Sequence, residues 1–149
     1  MTSDAQDSRR AKVLFVCVEN SNRSQMAEAF ARHHGTDIVE AWSAGSRPSG
    51  KVNPMAVQIM SQRGIDMSGH RSKSLQEVPD IIWDWVITMG CGDACPFVRA
   101  KNREDWALPD PRDLPVERFA LVCNEIERRV IDLLRRIKET KSAEGGSES

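Results

Sequence analysis

The sequence predicts a single α/β domain built on a four-stranded parallel sheet with helices on both faces. Three observations carry that expectation. Short apolar runs rich in β-branched residues alternate along the chain with segments of helical periodicity. The length, 149 residues, suits one domain. A composition of 40% apolar and 29% charged residues is that of a chain able to bury a core. Neither an internal repeat nor a linker divides it. The small, polar ends, residues 1–10 and 141–149, are expected to be disordered tails around a domain spanning residues 11–140.

Residues 12–18 (KVLFVCV) read as a strand buried on both faces. Residues 24–34 place Met26, Ala27, Phe30 and Ala31 on one helical face, and Gly35 is a fitting stop. Residues 37–42 (DIVEAW) form a second strand candidate, closed by the Ser43-Ala44-Gly45 turn. Asn53-Pro54 opens a helix with proline in its first turn, carrying Met55, Ile59 and Met60 inward until Gly64. A short helix is expected at residues 72–78, a third strand at 85–89 (WVITM) and a brief fourth at 106–108. The clearest helix runs from about residue 115 to 138. In it Phe119, Val122, Ile126, Val130, Leu133 and Ile137 recur at spacings of three and four. Cys123 falls beside Val122 and reads as core. Trp83, Trp85 and Trp106 flank the later strands and read as packing residues.

Charge and processing signals narrow the class of function. Lysine and arginine total 21 against 22 acidic residues, a formal net charge of −1, with a pI near 6.3. A nucleic-acid or anionic-membrane binder would show basic excess, so neither partner is expected. No apolar run approaches the ~18 residues of a membrane span. The first ten residues hold no apolar segment of the secretory kind. A cytoplasmic location is therefore expected, where Cys17, Cys91, Cys95 and Cys123 would stay reduced. Clustered cysteines then need explaining by catalysis, redox work, metal binding or burial.

The most informative segment is Cys17-Val18-Glu19-Asn20-Ser21-Asn22-Arg23-Ser24, between the first strand and the first helix. Open α/β sheets bind ligands at the carboxyl ends of their strands, and a helix N-terminus offers unpaired N–H groups to an anion. A cysteine aimed at such a terminus is favoured as the thiolate. Arg23 brings a planar fork matched to a tetrahedral oxyanion. Asn20, Ser21 and Asn22 form the loop, and Ser24 is placed to cap the helix or to hydrogen-bond the sulfur. The glycines and lysine of a nucleotide-binding loop are absent.

With these residues in view, the chain resembles the low-molecular-weight protein tyrosine phosphatases and the arsenate reductases that share their fold. The resemblance runs from about Val13 to Lys138. It rests on Cys17-x-x-Asn20-x-x-Arg23-Ser24, Ser43-Ala44-Gly45, the segment from Gly64 to His70 (GIDMSGH) and Asp110-Pro111. It implies that Cys17 is the nucleophile, that Arg23 and the loop amides bind the oxyanion, that Asn20 shapes the loop, and that Asp110 is the general acid and base.

Phosphatase and reductase chemistry both begin with thiolate attack on an oxyanion. A reductase must then move two electrons, which takes further thiols. Cys91 and Cys95, in Gly90-Cys91-Gly92-Asp93-Ala94-Cys95, follow the third strand and resemble the later cysteines of thioredoxin-coupled arsenate reductases. The expected function is arsenate reduction for arsenic detoxification, through a Cys17–Cys91–Cys95 thiol-disulfide relay. Arsenate, or a phosphate or sulfate analogue, is the expected ligand. No tightly bound cofactor is expected, and the external reductant would be thioredoxin or a glutaredoxin-like protein.

Alternatives stand beside that reading. Cys91 and Cys95 also have the spacing of half a zinc site, without further ligands in the sequence, or of two buried inert thiols. A phosphomonoester hydrolase would need neither cysteine, although Arg112 stands where the phosphatases carry an aromatic and the chain has no tyrosine. Asn22 stands where many relatives have a second cysteine, and the Cys91–Cys95 pair is closely spaced. A small thiol, glutaredoxin or mycoredoxin acting directly on the Cys17 adduct is therefore the other reductase route. The resemblance also implies a potassium ion at Asn20, Glu28, Ser43 and Asp66, each an oxygen ligand. The plainer alternative is a surface glutamate, a turn serine and a loop aspartate. Arg47, Arg71, Lys73 and Arg103 read as solvated charges able to steer an anion.

Overall fold

The fold is that of a computed structural model described for residues 10–90 and 97–148, the side chains of residues 141–148 excepted. Strand β1 (Ala11–Cys17) lies at the centre. It pairs in parallel with β2 (Val39–Gly45), from Ala11↔Val39 to Cys17↔Gly45, and with β3 (Trp83–Thr88), from Val13↔Trp85. β4 (Ala100–Asp105) completes the sheet beyond β3, in the order β2-β1-β3-β4. The chain leaves β1 toward β2 and later returns to β3 on the other side. The strand order therefore reverses between β1 and β3, and the crevice at their carboxyl ends is where such sheets bind ligands. Cys17 ends β1 and Gly90 lies just beyond β3.

The expected single α/β domain with four parallel strands is the observed one, with differences at the edges. The fourth strand is not residues 106–108 but the polar segment Ala100–Asp105. An edge strand pairs on one side only, so its side chains need not be apolar, and charges there discourage further pairing. Trp106 and Leu108 are buried as packing residues instead. Ser43-Ala44-Gly45 is the end of β2 rather than a turn, because pairing with β1 continues to Cys17.

Helix α1 (Arg23–Gly35) follows the loop after β1. In α2 (Pro54–Gln62), the Asn53 side chain accepts the Met55 N–H at 2.9 Å and proline takes the first position. The short helix expected at residues 72–78 is a 3-10 turn, Leu75–Glu77, with a Ser74–Glu77 capping box. α3 (Val116–Glu148) continues past residue 138, where the apolar periodicity predicted its end. It thus enters the segment expected to be a tail.

The two sheet faces are covered unequally. Val13, Phe15 and Cys17 of β1 pack with residues of all three α-helices, among them Phe30, Met60 and Ile126. Leu14 and Val16 face a smaller cluster with Trp83, Val86 and Val78, closed by Leu75 and Ile81 of the 3-10 turn and its following loop. Cys123 is core, as its position predicts, with its sulfur 3.7 Å from Met60 Sδ, and burial raises its thiol pKa to about 11. Among the described residues no helix is long and apolar enough to cross a membrane.

Ile126 is fully buried between α3 and the sheet, whereas Leu121 on the same helix is 64% exposed. Ile126→Ala should lower the unfolding free energy by about 2–5 kcal/mol, and Leu121→Ala by less than about 0.5 kcal/mol. Urea denaturation of both variants checks the assignment of the inner face.

Candidate active site

Backbone hydrogen bonds turn the loop after β1 inside out. Four of its carbonyl oxygens are taken from one side by residues 46–53. Ser46 N–H reaches Cys17 O at 3.2 Å, Arg47 N–H reaches Val18 O at 2.8 Å, Ser49 N–H reaches Glu19 O at 3.1 Å and Asn53 N–H reaches Ser21 O at 3.1 Å. The Ser72 hydroxyl also donates to Glu19 O. With its carbonyls engaged there, the loop has its N–H groups left for the opposite side, the arrangement of an anion nest. α1 adds to it. Asn22 stands at the N-cap without a side-chain cap bond, and the first turn holds no acidic residue, so the helix end keeps its free donors and positive dipole.

The bend is fixed by Asn20, whose φ of 51° puts a non-glycine residue in the left-handed region. Its buried side chain is bonded at both ends. Nδ2 donates to Ser24 Oγ at 2.8 Å, while Oδ1 accepts from Gln25 Nε2 at 2.8 Å and from the Lys73 N–H at 2.9 Å. Gly45 is the floor on which this bend rests. A Cβ there would stand 2.6 Å from Val18 O and 3.0 Å from Asn20 N, so the close approach requires glycine.

Cys17 is 3% exposed, with Sγ 2.8 Å from Ser24 Oγ. Because Ser24 Oγ already accepts from Asn20, its own proton is free to point at the sulfur, a bond that a thiolate accepts better than a thiol. Arg23 is buried, and its Nη1 donates to Met89 O at 2.7 Å and Leu108 O at 2.9 Å. Those two carbonyls anchor one edge of the guanidinium to the end of β3 and to the segment just before Asp110. Gly90, at φ 76°, permits that seat, since a Cβ there would be 3.2 Å from Nη1.

A cleft of about 210 Å³ opens over Cys17, lined by residues of the 17–23 loop on one side and by Asp110 and Arg112 on the other. Asp110 Oδ1 accepts from the Arg112 N–H at 3.0 Å and lies 3.4 Å from Asn22 Nδ2. Arg112 also pairs with Glu19 at 2.5 Å, so an ion pair spans the mouth of the cleft. The guanidinium is accordingly held charged by Glu19 first and Asp110 second.

Most of the residues singled out in the sequence thus meet at one point: Cys17, Asn20, Ser21, Asn22, Arg23, Ser24 and Asp110. Cys91 and Cys95 lie outside the described residues. Gln25, His70 and Arg112 carried no site role in the sequence reading. Gln25 is wholly buried, donating to Asn20 and Arg71 O and receiving His70 Nδ1 at 2.9 Å. Arg112 enters through its ion pair with Glu19. An amphipathic-helix reading treats Gln25 as a surface position, and no spacing rule links residues 19 and 112.

The potassium set does not assemble. Asp66 is exposed and its carboxylate accepts the Ser68 N–H. Glu28 is buried, but its charge is met by Arg32 at 2.8 Å and by Lys73 at 3.5 Å, and the Ser43 hydroxyl donates to it at 2.5 Å. Lys73, which reads as a solvated charge, has a side chain only 13% exposed. A second cation among these groups would meet the ammonium already there, so the residues do not fit a potassium ion. Among the described residues no cluster of three His, Cys, Asp or Glu side chains is placed to hold a metal.

Burial lowers the His70 pKa below its ordinary 6.5, a shift that Glu28 opposes and that Arg32 and Lys73 reinforce. The folded state therefore binds the proton less readily than the unfolded chain. This contribution to stability is present above pH 6.5 and is lost as pH falls through the folded-state value. Replacing His70 by glutamine should flatten the fall in unfolding free energy between pH 7.5 and 5.5, measured by urea denaturation at both ends.

Comparison with known proteins places this architecture. Residues 12–143 match the family described as low molecular weight phosphotyrosine protein phosphatase. The chain is 39% identical to a glutaredoxin arsenate reductase of Synechocystis, over 85% of this chain and 98% of the relative. A solved arsenate reductase in the phosphate-binding state superposes with a TM-score of 0.78 at 38% identity, covering 85% of this chain and 98% of that one. A thioredoxin-dependent arsenate reductase of Corynebacterium glutamicum superposes at 0.74 with 34% identity, covering 93% of this chain and 67% of its own. The chain therefore belongs to the low molecular weight phosphotyrosine protein phosphatase family, and the relatives it resembles are arsenate reductases.

Proposed function

We propose that the protein reduces arsenate to arsenite, with Cys17 as nucleophile. The observation that carries this reading is the Cys17 sulfur, bonded by Ser24 on the floor of a cleft that also holds Arg23 and Asp110. Arsenate sits in the nest, its oxygens facing the loop amides and the free edge of Arg23. The Cys17 thiolate attacks arsenic while the Asp110 carboxyl gives its proton to the departing oxygen, which leaves as water. Asn22 and Arg112 hold the Asp110 carboxylate in place. The product is a Cys17–arsenic(V) adduct.

Reduction takes a second thiol. Cys91 attacks the Cys17 sulfur, the S–As bond breaks, and its electron pair stays on arsenic, which leaves as arsenite. Two thiols are oxidised to a Cys17–Cys91 disulfide. Cys95 then attacks Cys91, freeing Cys17 and leaving a Cys91–Cys95 disulfide for an external dithiol of the thioredoxin or glutaredoxin kind. Regeneration of this sort suits a reducing compartment such as the cytosol. Gly90, the residue before Cys91 in the sequence, adjoins the seat of Arg23. The arsenate reductases among the relatives support the reductase over the phosphatase. So does the cleft itself, since none of its described lining residues is aromatic and its mouth carries the Arg112–Glu19 ion pair where an aryl ester would need a ring to stack on.

Single-turnover chemistry without any external reductant tests the relay. Reduced wild-type protein should release one arsenite per chain, as should Cys95→Ser, which stops at the Cys17–Cys91 disulfide. Cys91→Ser should release none. Arsenite from Cys91→Ser at the wild-type level would assign the second step to another thiol. Arg23→Ala should lower the rate of the first step roughly 100- to 1,000-fold, measured by rapid quench of arsenite formation.

A further inference from the structure

We infer that Lys73 is a positioning residue for the oxyanion loop, a cation built into the chain where a monovalent ion would otherwise be needed to balance Glu28. Two sets of contacts meet in this one residue. Its backbone N–H donates to Asn20 Oδ1 at 2.9 Å, which helps hold Asn20 at a positive φ. Its ammonium stands 3.5 Å from Glu28 Oε1 and donates to Ser43 Oγ at 3.3 Å. Glu28 comes from α1, five residues beyond Arg23. Ser43 comes from β2, two residues before the glycine on which Asn20 rests. The Lys73 carbonyl also accepts the Gly45 N–H at 2.9 Å, so this residue joins β2, α1 and the loop.

The energetics make the side chain more than a strap. The Glu28 side chain is 4% exposed, and a carboxylate so buried is costly unless paired and hydrogen-bonded. Arg32 meets it from the outside, with more than half of its side chain in solvent, where water and salt weaken the attraction. Lys73 meets it from the inside, beside the groups that set the loop. Without the ammonium, Glu28 and the Ser43 hydroxyl would be left facing a hole lined by oxygen atoms, which a desolvated monovalent cation could fill. With it, no such ion is required. The inference rests on the loop being an oxyanion site, and its test is chosen so that arsenate turnover is not needed.

Wild type, Lys73→Ala and Lys73→Arg of the full chain are compared in KCl, NaCl and tetramethylammonium chloride at matched ionic strength. The readouts are the thermal unfolding midpoint and the affinity for inorganic phosphate by titration calorimetry. Wild type and Lys73→Arg should give the same values in all three salts. Lys73→Ala should bind phosphate roughly tenfold or more weakly in tetramethylammonium chloride, with a lowered midpoint, and KCl should recover most of both losses. A loss equal in all three salts would make Lys73 a packing residue and overturn the inference. So would potassium-dependent affinity or stability in the wild type. If Lys73→Ala does not fold in tetramethylammonium chloride, Lys73→Gln, which keeps the bulk and drops the charge, is put through the same comparison. Absence of phosphate binding by wild type in every salt would count against the oxyanion reading of the cleft, and the unfolding midpoints would still decide the role of Lys73.

Discussion

Everything in this site hangs on one bend, that of Asn20. An asparagine at positive φ is tolerated because its short side chain can bond locally, but it persists only where its surroundings hold it. Here a single carboxamide is bonded to Ser24, Gln25 and the Lys73 backbone, and its own backbone carbonyl receives Gln25 as well. The bend directs the loop amides inward, brings Ser24 under the Cys17 sulfur and sets the start of α1 against the cleft. A loop of eight residues thereby becomes a rigid cup, which spares the cost of ordering it around a ligand.

The supports of that cup come from every layer of the fold. β2 supplies Gly45 as the floor, the segment from 46 to 53 takes the carbonyls, and Met89 after β3 and Leu108 supply the two carbonyls that seat Arg23. Each of these lies at the carboxyl edge of the parallel sheet, so the strand order that creates the crevice also gathers its walls. Charge is treated differently inside and outside. Buried Glu28 is matched by two cations, whereas Glu19 and Asp110 share a half-exposed Arg112 at the rim. An ion pair at the rim is cheap to open, which suits an entrance that must admit a charged substrate.

Much of this was legible in the residues. The Cys17–Ser24 segment between a buried strand and a helix with its apolar face marked out the loop that lines the cleft, and Asp110-Pro111 came with the resemblance. The parallel sheet followed from alternation of strand and helix patterns. What escaped had no periodic signal. β4 is a charged edge strand whose stability comes from pairing with β3, not from apolar alternation. Gln25 and Lys73 look like surface residues in one dimension, and only the folded chain shows Gln25 wholly buried and Lys73 nearly so, bonded to the same asparagine. The potassium expectation failed for the same reason: Asp66 matched in type, but the fold turned it to solvent and put an ammonium beside Glu28.

The central claim is that this cup serves arsenate reduction rather than phosphoester hydrolysis. The most direct measurement is arsenate-dependent NADPH oxidation in the presence of the full chain, coupled to thioredoxin with its reductase and, separately, to glutaredoxin with glutathione and glutathione reductase, beside hydrolysis of an aryl phosphate. The account predicts arsenate-dependent turnover with one of the dithiol systems and aryl phosphate cleavage far slower. Rapid hydrolysis of the aryl phosphate with no arsenate-dependent oxidation in either system would contradict it.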